Sequence, residues 1–211
     1  MESSFITDTQ TIETPRLILR KFELSDAQAM FNNWASDSEV TRFLRWDAHQ
    51  SVNVTREVLR GWVGNYGEGH DYFHWVIVLR ETGLPVGAIS LLNVSRRDQC
   101  AEVGYCLGRR YWGRGIMTEA LRAVLEFGFL RAGFNRIEAA HSVRNPASGR
   151  VMQKAGMKHE GSLRESYRSS NGFEDCELYA ALRSDLPAGA GCESDETCTL
   201  RQKSKGDFSD E

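Results

Sequence analysis

Tyr111-Trp112-Gly113-Arg114-Gly115-Ile116-Met117-Thr118 is the stretch best suited to binding a charged group. It joins a run that reads as a strand, Ala101 to Leu107, to one that reads as a helix, Thr118 to Leu130. Two glycines at such a junction let the backbone turn tightly and let a ligand approach peptide N–H groups. The helix that follows leaves its first N–H groups without intrahelical partners, and its dipole puts partial positive charge there. Phosphate or pyrophosphate is the natural occupant, and Arg109, Arg110 and Arg114 add fixed positive charge. A plain strand-to-helix turn has the same spacing. The loop is not a Walker loop, since no Gly-Lys-Ser/Thr follows. It is not a dinucleotide fingerprint either, lacking the third glycine and an acidic residue closing a second strand.

The elements that must hold this loop are legible around it. Arg16 to Phe22 reads as a first strand, and Ser25-Asp26 as the cap of a helix with Ala27, Met30, Phe31 and Trp34 on one face. Ser51 caps a second helix carrying Val54, Val58, Leu59 and Trp62, ended by Gly64 and Gly67. Tyr72 to Leu79 and Val86 to Val94 form a hairpin around Glu81-Thr82-Gly83-Leu84-Pro85. Asp98 turns the chain into the strand Cys100 to Leu107. Beyond the loop helix, which stops at Gly133, come a strand from Arg136 to Val143 and a helix opened by Asn145-Pro146 and ended by Gly156. A last antiparallel pair, Met157 to Arg168 and Phe173 to Leu182, turns at Asn171-Gly172.

The order β-α-α-β-β-β-α-β-α-β-β predicts one α/β (α+β) domain over residues 13–186, with a mixed, mostly antiparallel sheet flanked by helices. A crossover through the loop helix makes strands 100–107 and 136–143 parallel neighbours. Residues 1–12 read as a flexible lead-in. Residues 187–211 are almost without apolar side chains and read as a disordered acidic tail.

The 211 residues are 41% hydrophobic and 26% charged, enough for a sizeable core. A net charge of −3 argues against nucleic-acid binding, and 185–211 hold seven acids against three bases. No apolar run approaches the ~20 residues of a membrane span, and no secretory signal opens the chain. The five cysteines lack metal-ligand or redox spacing, so no metal is expected and cytoplasmic free thiols are the default.

Joint order of motifs carries a resemblance. Thr14-Pro15-Arg16-Leu17-Ile18-Leu19-Arg20 is followed by Ala101-Glu102-Val103-Gly104-Tyr105-Cys106-Leu107, the glycine loop, Asn145-Pro146-Ala147-Ser148, Lys154-Ala155-Gly156-Met157 and Glu160-Gly161-Ser162-Leu163-Arg164. Over roughly residues 12–184 the chain resembles the GNAT superfamily of N-acetyltransferases, and more closely its RimJ/RimL-type branch, which acetylates ribosomal-protein N-termini and has relatives with other amine acceptors. The loop departs from the usual Gln/Arg-x-x-Gly-x-Gly/Ala by carrying Trp112 and Met117 around the retained Gly115. Where many members place a tyrosine to protonate the leaving thiolate, this chain has Met152.

The resemblance implies transfer of an acetyl group from acetyl-coenzyme A, by direct attack, to a primary amine: a protein N-terminus or a small amine. A homodimer is compatible with it. Tyr105, Cys106 and Leu107 would polarise the thioester carbonyl and bind the pantetheine arm through their backbone, since a splayed strand offers free N–H groups. Gly113, Arg114, Gly115, Ile116, Met117 and Thr118 would hold the pyrophosphate, and Asn145 would touch the arm. Glu102 is the candidate base, or else an ion-pair partner of an arginine on the sheet face. Ser148 is the candidate donor to the thiolate, or else bonds within its own helix. His141, His74 and Trp75 read as polar filling and sheet packing. Residues 42–46 and 164–175 are where the branch builds its acceptor pocket. A coenzyme A or nucleotide binding module without catalysis is the alternative class, separated from the enzyme by thiol release from acetyl-coenzyme A.

Overall fold

In the computed structural model, which describes residues 5–67, 71–169 and 172–186, the runs rich in β-branched and aromatic side chains become eight strands. They are β1 (Ile12–Glu13), β2 (Leu17–Arg20), β3 (Phe73–Leu79), β4 (Pro85–Ser95), β5 (Cys100–Leu107), β6 (Arg136–Ser142), β7 (Lys158–Ser169) and β8 (Gly172–Leu182). One sheet contains them in the order β1-β2-β3-β4-β5-β6-β8-β7, antiparallel throughout except where β5 meets β6. Five α-helical segments accompany it: α1 (Ala27–Met30), α2 (Ser38–Thr41), α3 (Val52–Gly64), α4 (Ile116–Leu130) and α5 (Pro146–Ala155).

Period-two alternation along β3 shows how the sheet is covered. Phe73, Trp75 and Ile77 enter a core shared with Leu121, Val124, Leu125 and Phe129 of α4, whereas Val76 and Val78 enter a second core with Met30, Trp34 and Leu59. Both faces are therefore buried, and β3 reads as a continuous apolar run. Each large side chain so buried contributes roughly 1.5–3 kcal/mol.

The differences from the sequence reading have local causes. α4 begins at Ile116, two residues earlier than its polar start suggested, because Gly115 takes φ +73° and turns the chain directly into the helix. The first helical stretch runs from a 3-10 turn at Leu24–Asp26 through α1 into a π turn at Phe31–Ala35. α3 buries Thr55 and Leu59 and leaves Val54 exposed, since Thr55 bonds His49 Nδ1 at 2.8 Å. Within the stretch read as a lead-in, residues 6–12 make contacts with the domain. There Ile6 N–H bonds the Arg131 carbonyl, Thr9 is buried against Tyr72, the Trp75 indole donates to the Gln10 carbonyl at 2.7 Å, and Ile12 pairs with Leu19. Asn171 of the expected final turn and the proposed tail 187–211 lie outside the described residues, although Gly172 has the left-handed φ of +101°.

Beside the site, Glu174 of β8 is buried with its charge. Its carboxylate accepts from Arg144 Nε at 3.0 Å, Ser142 Oγ at 2.6 Å and Ser169 Oγ at 2.7 Å. The Arg144 bond first, then those serines, hold the carboxyl down to about 2 against the cost of burial. Unfolded, the group titrates near ~4.3. This stability is therefore present above the unfolded value and is lost as pH falls through the folded one. Glu174→Gln should melt lower than wild type at pH 7, by on the order of 5 °C, and should lose less further stability between pH 5 and pH 2. Calorimetry across that range checks this; parallel acid limbs would refute it.

Candidate active site

Two parallel strands that part company make the central feature. β5 and β6 pair only over Cys100–Glu102 against Arg136–Glu138. Beyond that register β5 stays bonded to β4 as far as Leu107, while β6 stays bonded to β8 as far as Ser142. Among the described residues no strand pairs with the edge of β5 over 103–107 that faces away from β4. Every other N–H along that edge is thus open to a ligand.

The glycine loop closes the same end. Gly113 and Gly115 have φ +75° and +73°, conformations that cost an L-residue strain. Gly115 is the N-cap of α4 and supplies no side-chain cap, so the first-turn N–H groups remain for an outside acceptor. The Trp112 indole donates to the Leu107 carbonyl at 2.6 Å and ties the loop to the tip of β5.

A second tie comes from the N-terminus. Arg16 donates to the Arg114 carbonyl at 3.0 Å and pairs through Nε with Glu119 at 2.6 Å, while Thr14 Oγ1 donates to Glu119 at 2.6 Å. Burial works against the Glu119 charge, yet the bonds from Thr14 and Arg16 hold its carboxyl below the usual range. That carboxylate is consumed by its own partners, which keeps the head of α4 receptive to an anion. Arg109 is turned aside to Asp37 at 3.0 Å.

Glu102 sits at the last paired register, half-buried, on the face of β5 that also carries Gly104 and Cys106. Its partner is Asn93, whose Nδ2 donates to Oε2 at 2.6 Å. Asn93 reaches it from a bulge in β4, at φ +50°. Among the described residues Glu102 makes no ion pair, so the arginine partner considered from sequence is not there. Cys106 packs toward the second core, and burial pushes its thiol up to about 12, so it stays neutral.

Across the gap, the Asn145 side chain caps α5 by accepting the Ser148 N–H at 3.4 Å. Ser148 Oγ lies 2.9 Å from the Tyr105 hydroxyl, so it bonds across to β5 and not within its own helix. Met152 is buried in the core and supplies no acid. His141 bonds the Ser142 carbonyl through Nδ1 at 2.8 Å and presses its other nitrogen against Gly149, where a Cβ would come within 2.4 Å. His74 packs between Trp62 and Phe22, and burial lowers it to about 4. Both histidines act as filling.

Next to this gap, Tyr167 of β7 donates to the Phe43 carbonyl at 2.9 Å and lies under Arg45. A bulge follows Leu163, with Glu165 at φ +46° and its N–H on Asp175 at 2.8 Å. A concavity of 840 Å³ lined by Ser162 to Ser166 and Asp175 opens there. Arg164, Glu165 and Asp175 give its wall mixed charge.

Three features escaped the sequence reading: Asn93, the Thr14-Arg16-Glu119 tie, and the Tyr105 hydroxyl. Asn within an apolar strand is a signal for a left-handed residue and a bulge, and it could have flagged Asn93. The other two depend on residues 103 and 43 positions apart in sequence, which no local pattern reveals.

A mixed sheet with a parted parallel pair, a carboxylate at the point of parting and an anion-receptive helix start is an arrangement that suits acyl transfer. Comparison gives the family. The acetyltransferase (GNAT) domain model matches residues 16–158, and the chain belongs to that family. An uncharacterised N-acetyltransferase of Bacillus subtilis, YoaA, is 31% identical over 173 residues, covering 82% of this chain and 96% of the relative. The ribosomal-protein-serine acetyltransferase of Escherichia coli is 29% identical over 133 residues, covering 63% and 73%. A GNAT-family acetyltransferase crystal structure from Bacillus anthracis superposes with a TM-score of 0.72 at 27% identity, covering 83% of this chain and 99% of that one. The protein is an acetyl-coenzyme A-dependent N-acetyltransferase. Among the described residues no helix is long and apolar enough to cross a membrane.

Proposed function

We propose that the chain acetylates the α-amine of a protein N-terminus, of the kind found on ribosomal proteins. One observation carries the chemistry: Glu102, oriented by Asn93, stands where β5 leaves β6 and exposes its backbone donors. Similarity to the ribosomal-protein-serine acetyltransferase supports the acceptor class. An α-amine has a pKa near ~8, against ~10.4 for lysine, so a single carboxylate suffices to deliver it neutral at pH 7.

In this reading the loop from Gly113 to Thr118 holds the pyrophosphate on glycine-freed N–H groups, and Asn145 meets the pantetheine arm. Backbone N–H groups of Tyr105 to Leu107 on the open edge polarise the thioester carbonyl. Glu102 accepts the amine proton, directly or through one water, as the C–N bond forms. Ser148 donates a hydrogen bond to the sulfur as the C–S bond breaks and its electron pair moves there. Free thiols at Cys100, Cys106 and Cys176 suit the reducing cytoplasm, where such acceptors are made.

Thiol release from acetyl-coenzyme A, measured over a panel of Ser- and Ala-initiated peptides, lysine-bearing N-blocked peptides, polyamines and aminoglycosides, tests the acceptor. Free α-amines should give turnover at least tenfold above the blocked peptides at pH 7, in line with their lower pKa. Turnover confined to small amines would overturn the acceptor assignment.

A further inference from the structure

The Tyr105 hydroxyl reaches from the parting end of β5 to α5. Its oxygen lies 2.9 Å from Ser148 Oγ and 3.1 Å from the Ser148 carbonyl oxygen. A phenol has one hydrogen and a serine hydroxyl has one. When Tyr105 donates to the carbonyl, the serine hydrogen can fall back on the Tyr105 oxygen. When Tyr105 donates to Ser148 Oγ, the serine hydrogen is released to point elsewhere. Both acceptors are within reach without moving a backbone atom.

We propose that Tyr105 is a positioning residue: by donating to Ser148 Oγ it aims the serine hydrogen at the departing thiolate. This rests on the assignment of Ser148 made above. Burial holds the Tyr105 phenol well above its ordinary range, the Ser148 bond pulling weakly the other way, so it stays protonated across any assay pH. A serine hydroxyl is a far weaker acid than a thiol, so no proton leaves Ser148. The C–S electron pair passes to sulfur, Ser148 donates a hydrogen bond to it, and Tyr105 donates to the serine oxygen, which polarises the serine O–H and strengthens that bond. The proton lost by the amine goes to Glu102, and solvent protonates the thiolate after it leaves. Met152, one turn further along α5, is buried in the core and has no proton to give.

Tyr105→Phe removes the hydroxyl and keeps the ring that packs on the core. In single-turnover measurements with acetyl-coenzyme A and an Ala-initiated peptide, its rate should fall about tenfold, with the dissociation constant for acetyl-coenzyme A unchanged and the melting temperature lower by no more than about 5 °C. Ser148→Ala should be slower still, and adding Tyr105→Phe to it should cost nothing more, because the tyrosine acts through the serine. Losses that multiply in the double variant, together with weaker cofactor binding, would assign Tyr105 a merely structural role and overturn the proposal. A Tyr105→Phe rate equal to wild type beside a slow Ser148→Ala would overturn it too while leaving Ser148 as donor. A wild-type rate for Ser148→Ala would remove the donor assignment itself.

Discussion

Gly115→Asp is expected to weaken acetyl-coenzyme A binding by roughly 100-fold or more while the protein stays folded. Gly115 caps α4 at φ +73° and ψ 5°, and a Cβ there would meet nothing closer than the Arg16 guanidinium at 3.6 Å. Space is available, so a clash is not the reason. Aspartate tolerates the left-handed region better than most residues, at a cost of roughly 1–2 kcal/mol. It is also among the best N-caps. Its carboxylate would accept the first-turn N–H groups that the glycine leaves open, and would put a negative charge beside Arg16, in the space proposed for the pyrophosphate. Losing two charge-assisted bonds predicts an affinity roughly 100-fold lower or worse. Gly115→Ala introduces the strain without the charge and should cost only a few-fold. Titration calorimetry with acetyl-coenzyme A, beside melting curves, separates the two. A folded Gly115→Asp that binds as well as wild type would remove the pyrophosphate from this loop.

The frame of the molecule was legible because its signals are local. Alternation and turn residues fix the hairpin from Phe73 to Ser95, and Asn145-Pro146 with Gly156 fixes both ends of α5. The parallel pairing of β5 with β6 follows from a helical crossover between strands, whatever the side chains. What the sequence hid is set by register. Asn93 meets Glu102 only because a bulge after Leu92 breaks the β4 ladder, and an unbroken ladder would move it to another row. Ser148 was ambiguous because a serine near a helix start bonds locally by habit. Here Asn145 already caps its N–H, and the hydroxyl is left to bond Tyr105. The acceptor wall is the least legible part, since its shape depends on the bulge in β7 and the bend that carries Phe43 to Tyr167.

Glu102→Gln should lower turnover by roughly 10²-fold or more near neutral pH, the usual scale of general-base catalysis. Glutamine keeps the shape of the side chain, and its carbonyl oxygen can still accept from Asn93 Nδ2, so the bulge in β4 has its partner. Only basicity is lost. Because Glu102 makes no ion pair among the described residues, the melting temperature should not move by more than a degree or two, as for a surface exchange that breaks no packing or buried bond. Affinity for acetyl-coenzyme A should hold as well, since the loop and the open edge of β5 are untouched. The direction of the pH effect follows from the acceptor. Below its pKa of ~8 an α-amine is mostly protonated and needs the carboxylate to take its proton. Above that value the neutral amine is abundant, and the gap between variant and wild type should narrow. For a peptide whose only free amine is a lysine, the gap should persist to near pH ~10. Full pH–rate profiles of both proteins with both peptides, alongside melting curves, decide the matter. A normal turnover with an unchanged profile would exclude Glu102 as the base, and lowered stability with an unchanged profile would make it a structural residue.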